Sequence, residues 1–244
     1  MEIVSKSKIK QIKGLKLKKK RDEERLFVIE GNKIIHEVIA DNKAKILYLV
    51  GTSDFINEFS SYKLPVFECS QKELKELSSF ANPSNGLAVV EYIADRPAVV
   101  GPILALDDIQ DPGNFGTILR TADWFNIQTI ICSQNTVDLY NPKAIQSTMG
   151  AFLRLHVTYV DLTEYLAKSN LPVFGALLNG ENVYECKWDN EFILLMGNEG
   201  KGISAANQAH VTRPVTIPKF GGTESLNVGI ATGILLSEVR RVLG

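Results

Sequence analysis

Three segments of the chain carry more glycine and polar residues than a strand-to-helix turn requires. The first is Asp111-Pro112-Gly113-Asn114-Phe115-Gly116-Thr117-Ile118-Leu119-Arg120. Its glycines permit tight backbone turns, and Arg120 offers a planar guanidinium suited to phosphate or carboxylate. The second is Gly197-Asn198-Glu199-Gly200-Lys201-Gly202, where three glycines in six residues let backbone amides and carbonyls approach a ligand closely. It matches neither G-x-x-x-x-G-K-[ST] nor G-x-G-x-x-G, which argues against an ordinary nucleotide-phosphate or dinucleotide loop. The third runs from Ile217 and Pro218 through Lys219-Phe220-Gly221-Gly222-Thr223 to Glu224-Ser225-Leu226-Asn227. Ser225 or Asn227 could cap the helix that follows. Glu224, Ser225 and Asn227 crowd round one apolar residue, a composition that suits a binding loop better than a plain turn. Taken singly, each segment also fits a helix-capping turn.

These segments need strands and helices to aim them. Apolar strands are expected at 103–106, 129–132, 173–176, 192–196 and 215–217, with helices over 116–125, 141–148, 204–209 and 227–241. Each of the three segments then follows a strand, where open α/β sheets bind ligands, and Arg120 falls on the first turn of its helix. Residues 26–92 form a smaller α/β unit. It has strands at 26–29, 46–50, 66–68 and 87–92 and helices at 31–40, 52–59 and 70–79, the last opened by the capping-box pair Ser70 and Glu73. Short apolar strands alternating with helices predict an α/β fold with a mainly parallel sheet. The boundaries read as a basic arm at 1–25, a small domain at 26–92, a Pro/Gly-bearing linker at 93–102 and a second domain at 103–244.

The balance of 27 basic and 28 acidic residues hides an asymmetry: residues 1–25 carry a net +6 and the remainder −7. A basic arm on a mildly acidic body suits a polyanion, and counterion release makes nucleic acid the natural candidate. Lys13, Lys16, Lys18, Lys19, Lys20 and Arg21 are the candidate phosphate contacts. A hydrophobic fraction of 45% argues against disorder. The best apolar run, 98–106, is interrupted by Gly101-Pro102 and falls short of the about 20 residues a membrane span needs. The lysine-rich start has no apolar stretch of the signal-peptide kind. Cys69, Cys132 and Cys186 are expected as free thiols in a reducing cytoplasm, and the scattered histidines His36, His156 and His210 suggest no metal site. Trp124 is expected on the buried face of its helix.

Together the three segments resemble the signature motifs of the SpoU (TrmH-like) RNA 2′-O-ribose methyltransferases of the SPOUT class. Asn114-x-Gly116-x-x-x-Arg120 is similar to motif 1, Gly197-Asn198-Glu199-Gly200-x-Gly202 to motif 2 and Ser225-Leu226-Asn227-Val228 to motif 3. Residues 26–92 resemble the L30e-like substrate-binding domain of ribosomal-RNA members, through Phe27-x-x-Glu30-Gly31 and Gly86-Leu87-Ala88. The resemblance implies a deep trefoil knot, a homodimer and an S-adenosyl-L-methionine site. It assigns Arg120, Asn114, Glu199, Ser225 and Asn227 to catalysis, and Gly197, Asn198, Gly200, Ile217, Pro218 and Leu226 to the cofactor. It implies 2′-O-methylation of 23S ribosomal RNA; transfer RNA as substrate and a non-catalytic RNA-binding role in ribosome assembly are the alternatives. One departure is Gln146, where many relatives carry arginine.

Overall fold

The computed structural model describes residues 2–94 and 99–244. Part of the expected linker, 95–98, lies outside them. The described residues divide into two compact units, one of residues 2–94 together with Asp138–Leu153, the other of residues 99–137 together with Arg154–Gly244.

In the first unit the elements run β1 (Glu2–Ile3), α1 (Lys6–Gly14), α2 (Lys18–Glu24), β2 (Leu26–Glu30), α3 (Asn32–Asp41), β3 (Ile46–Gly51), α4 (Ser53–Glu58), β4 (Val66–Glu68), α5 (Gln71–Leu77) and β5 (Gly86–Glu91). The sheet order is β1-β4-β3-β5-β2. The β1/β4 and β3/β4 pairs are parallel, and β5 runs antiparallel to both β2 and β3. The capping box at Ser70 and Glu73 is formed in both directions.

The basic segment folds into this unit rather than standing off as an arm. α1 is amphipathic, and its Ile12, with Leu15 just beyond it, is fully buried in the same core as Val28, Tyr48 and Leu87. Arg21, expected as a phosphate contact, is 2% exposed. Its guanidinium donates to the carbonyls of Leu15 and Lys16 and to Asp138 Oδ2 at 2.6 Å. Arg21 therefore satisfies carbonyls at the end of α1 and a buried carboxylate inside the unit. Asp138 opens the excursion whose helix, Pro142–Thr148, packs on β2. There Phe27 meets Tyr140 at 4.6 Å and Phe152 at 6.0 Å, burying the aromatic faces against one another. The excursion's grouping with the first unit is the main difference from the boundaries drawn on the sequence, where 103–244 stood as one block.

The second unit contains β6 (Ile103–Leu106), α6 (Pro112–Trp124), β7 (Thr129–Ser133), β8 (His156–Val160), α8 (Leu162–Lys168), β9 (Val173–Asn182), β10 (Ile193–Met196), α9 (Ala205–Gln208), β11 (Arg213–Thr216) and α10 (Val228–Leu243), with α7 being the excursion's helix Pro142–Thr148. All pairs in its six-stranded sheet, ordered β11-β9-β10-β6-β7-β8, are parallel. β10 is buried along its whole length and so is most of β6, as expected where helices cover both faces. Among the described residues no helix is long and apolar enough to cross a membrane.

Two expectations fail on α6. The helix starts at Pro112, four residues before the expected start, because Asp111 caps it by accepting from the amide of Asn114 at 2.8 Å and Pro112 occupies a first-turn position. Arg120 thus lies in the third turn. With the helix in that register, Phe115, Ile118, Leu119 and Ala122 face inward, and Trp124 is left 83% exposed.

Candidate active site

The sheet order explains why three segments far apart in sequence meet. β6 and β10 are neighbours with Leu106 opposite Met196, so the loops after them leave the sheet side by side. From β6 the order continues through β7 and β8 on one side, while β9 and β11 lie beyond β10 on the other. The divergence point outside the carboxyl ends is where parallel sheets form ligand clefts.

The loop after β10 is closed on itself: Asn198 and Gly202 exchange two backbone hydrogen bonds of 3.0 and 2.9 Å. Gly202 sits at φ +70°, in the left-handed region that favours glycine. Gly197 is required for a different reason, since a Cβ there would lie 2.1 Å from the amide nitrogen of Ile203. Asn198 ties this loop to the first one. Its Oδ1 accepts from the amides of Gly200 and Lys201, and its Nδ2 donates to the carbonyl of Asp108 at 2.7 Å. The buried carboxylate of Asp107 adds a second tie by accepting from the amide of Ser204 at 2.8 Å.

Glu199 is the hub. Its carboxylate accepts from the amides of Gln110 at 3.3 Å and Asp111 at 3.1 Å, and from Asn114 Nδ2 at 3.2 Å. Asn114 Oδ1 in turn accepts from Asn227 Nδ2 at 2.9 Å. Asn227 also caps α10, its Oδ1 accepting from the amides of Gly229 and Ile230. The chain Glu199–Asn114–Asn227 therefore links all three segments through side chains, and each member has fixed hydrogen-bond geometry.

Beside this network lies a cavity of about 700 Å³. Gly197, Asn198, Glu199, Gly200, Ile217, Pro218, Ser225 and Leu226 all line it. Asn114 and Asn227 reach it only through Glu199. Arg120 does not line it: it is exposed, about 9 Å further along α6 than Asn114 at 1.5 Å per residue, and has no hydrogen bond or ion pair among the described residues. Ser225 is exposed and likewise makes no hydrogen bond among them. Asn198 lines the cavity with its side chain already committed to the loops, so its part is to hold them in place. Sequence reasoning missed Asp107, Asp108 and the Gln110 amide, which act through buried or backbone groups; the short polar run after an apolar strand was their only signal.

The lining suits a ligand with an apolar body and several hydrogen-bonding edges. Leu177, Val215 and Leu235 supply apolar wall, and Cβ positions built on Gly202, Gly221 and Gly222 meet nothing within 4 Å, so backbone is open to a ligand there. S-adenosyl-L-methionine, with its adenine, ribose and charged methionine end, fits that set. No group of three or more His, Cys, Asp or Glu side chains among the described residues is arranged to hold a metal ion.

Residues 101–237 match the SpoU rRNA methylase family. The chain belongs to that family. Residues 6–88 match the MRM3-like substrate-binding domain, which takes in the basic segment folded onto the first unit. Among SpoU relatives, the chain is 29% identical over 244 residues to the 23S rRNA (guanosine(2553)-2′-O)-methyltransferase RlmP of Bacillus subtilis, covering 98% of each chain. A TrmH-family structure from Porphyromonas gingivalis aligns at 38% identity with a TM-score of 0.87, covering 98% of this chain and 99% of that one. An AdoMet-bound rRNA methyltransferase from Sinorhizobium meliloti aligns at 29% identity with a TM-score of 0.84, covering 100% and 98%.

Proposed function

We propose that this protein is an S-adenosyl-L-methionine-dependent ribose 2′-O-methyltransferase acting on 23S ribosomal RNA. The observation that carries the reading is the side-chain network that joins the three SpoU segments beside one cavity at the divergence point of the sheet. The two-unit match to a 23S rRNA enzyme over 98% of each chain favours ribosomal over transfer RNA.

The cofactor supplies an electrophilic methyl on a sulfonium. The chain's residues must align a ribose hydroxyl with it and exclude competing geometry, an effect worth several kcal/mol, up to roughly 7–11. Backbone around Gly197, Gly200, Ile217, Pro218 and Leu226 holds the cofactor, in loops fixed by Asn198. Glu199, Asn114 and Asn227 keep the loops in register, and Ser225 offers an uncommitted hydroxyl to the substrate. Arg120 clamps an RNA phosphate and stabilises charge developing on the ribose oxygen. Because a guanidinium stays protonated in proteins, the proton goes to phosphate or water.

Lys18 and Lys19, exposed and without partners among the described residues, contact phosphate on the substrate-binding unit. Lys13, Lys16 and Lys20 add charge there while bonded to Glu76, to the carbonyls of Glu76 and Ser78, and to Glu23. The protein works as a homodimer with a trefoil-knotted C-terminal region. Exposed Trp124 on α6 and Ile230 on α10, helices that pack on each other, support an apolar contact between copies. It acts in the cytoplasm, in keeping with three buried free cysteines.

The test is transfer of labelled methyl from S-adenosyl-L-methionine to unmodified 23S rRNA by the purified protein, with the product digested to nucleosides. A 2′-O-methylated nucleoside supports the reading. Base methylation, or no transfer to ribosomal RNA with transfer to tRNA, removes it.

A further inference from the structure

We propose that Phe220 is a stacking face for an unpaired nucleobase of the RNA substrate, with Lys201 and Lys219 taking the phosphates beside it. The proposal rests on the methyltransferase reading of the same cavity and names the form of RNA that enters it.

Phe220 is 95% exposed, whereas Phe27, Phe55, Phe59, Phe115, Phe152, Phe174 and Phe192 are each at most 1% exposed. Its ring touches no other aromatic ring among the described residues. A phenylalanine held in water on a glycine-flanked loop contributes nothing to a core. It nevertheless lines the cavity, together with Leu178, itself 74% exposed. Lys201 and Lys219 line the same cavity and are exposed, and their ammonium groups form no hydrogen bond or ion pair among the described residues. The two carboxylates there are placed otherwise: Glu199 is engaged by two backbone amides and Asn114, and Glu224 is exposed on the loop that carries Phe220.

An exposed aromatic ring lining one cavity with uncommitted cations is the chemistry of single-stranded RNA recognition. Every base offers a π-face to the ring, and the lysines follow the phosphates without reading sequence. A base inside a helix is already stacked on both faces and cannot use the ring. The structure thus points to a loop, bulge or splayed nucleotide as the entering segment.

The experiment uses the full chain and a fluorescein-labelled mixed-sequence RNA 12-mer, single-stranded or annealed to its complement. Phe220→Ala is expected to weaken single-strand binding roughly 5- to 150-fold, the equivalent of about 1–3 kcal/mol for one stacked base. Duplex binding and S-adenosyl-L-methionine affinity by calorimetry stay unchanged. Phe220→Trp is expected to keep the affinity and to show indole quenching on adding the single strand but not the cofactor. Changing Lys201 and Lys219 together to alanine is expected to flatten the salt dependence of single-strand binding by about 1.4 in log–log slope. Unchanged single-strand affinity in Phe220→Ala overturns the proposal. So does a loss confined to the cofactor, which would make the ring a cover for adenine, or a fall in oligomeric mass, which would make it a contact between copies. Strand-selective quenching without methyl transfer by the native protein would leave the stacking role standing and remove the methyltransferase reading.

Discussion

The two units use their charged and polar side chains in opposite ways. In the first, the most basic stretch of the chain is largely committed to its own fold: Arg21 is buried against Asp138 and two carbonyls, Lys13 pairs with Glu76, and Lys16 bonds two carbonyls. In the second, Asn114, Asn198, Glu199 and Asn227 hold three loops together. Arg120, Ser225, Lys201 and Lys219 are left exposed beside that frame. A charge run therefore does not say which of its side chains are free to meet a ligand. The hydrogen bonds made in the fold do.

The largest expected effect breaks the comparison on the first unit. Arg21→Ala strands Asp138 in a site where the paired side chains are 3% and 13% exposed, and should cost about 3–5 kcal/mol of stability, measured by urea unfolding. Were Arg21 a phosphate contact instead, stability would hold and RNA affinity would fall. Next comes the second unit. Arg120→Ala should lower kcat for methyl transfer by about 100- to 1000-fold, on the scale of losing one donor to a developing oxyanion, with the melting temperature unmoved because the residue has no partner to lose. Full activity in that variant would sink its catalytic assignment.

Asn227 separates framework from capping. Asn227→Ala should cost about 1 kcal/mol through the lost cap of α10. Asn227→Asp keeps an acceptor for the Gly229 amide but cannot donate to Asn114. The aspartate variant should therefore retain stability while losing activity, and full activity in the aspartate variant, with loss only in the alanine variant, would mean that the cap alone matters.

The smallest effect concerns the thiols. Burial pushes the thiols of Cys69 and Cys186 up to about 11, with nearby carboxylates adding to it, and pushes Cys132 up as well. Native protein at pH 8 should react slowly with a thiol reagent and release all three cysteines on unfolding. Since the unfolded thiols ionise near 9 and the folded ones higher, stability should hold below pH 9 and decline as pH rises through that window. Rapid labelling of folded protein at pH 8 would contradict the burial.

Much of the frame was legible because local patterns and tertiary packing agree. The apolar runs that became β3, β6 and β10 are short and bounded by turn residues, and Ser70 with Glu73 formed the capping box its spacing predicts. The three segments were legible as a set through their order and their resemblance to the SpoU motifs, since each taken singly also fits a helix-capping turn. What was hidden depended on direction. The start of α6 turned on Asp111 acting as a cap, and with it the outward aim of Trp124. In the lysine-rich run nothing marks Arg21 as the residue that turns inward, since only the fold brings Asp138 to it, 117 residues away. The ties made by Asp107 and by the Gln110 amide belong to the pairing of β6 with β10, which no single segment contains.

The most direct test of the central claim is ribose-methylation mapping of total RNA from cells with and without the gene. The account predicts loss of one 2′-O-methyl mark in large-subunit ribosomal RNA, restored by the native protein and not by Arg120→Ala. An unchanged ribose-methylation map, with every ribosomal mark retained in the absence of the gene, would contradict it.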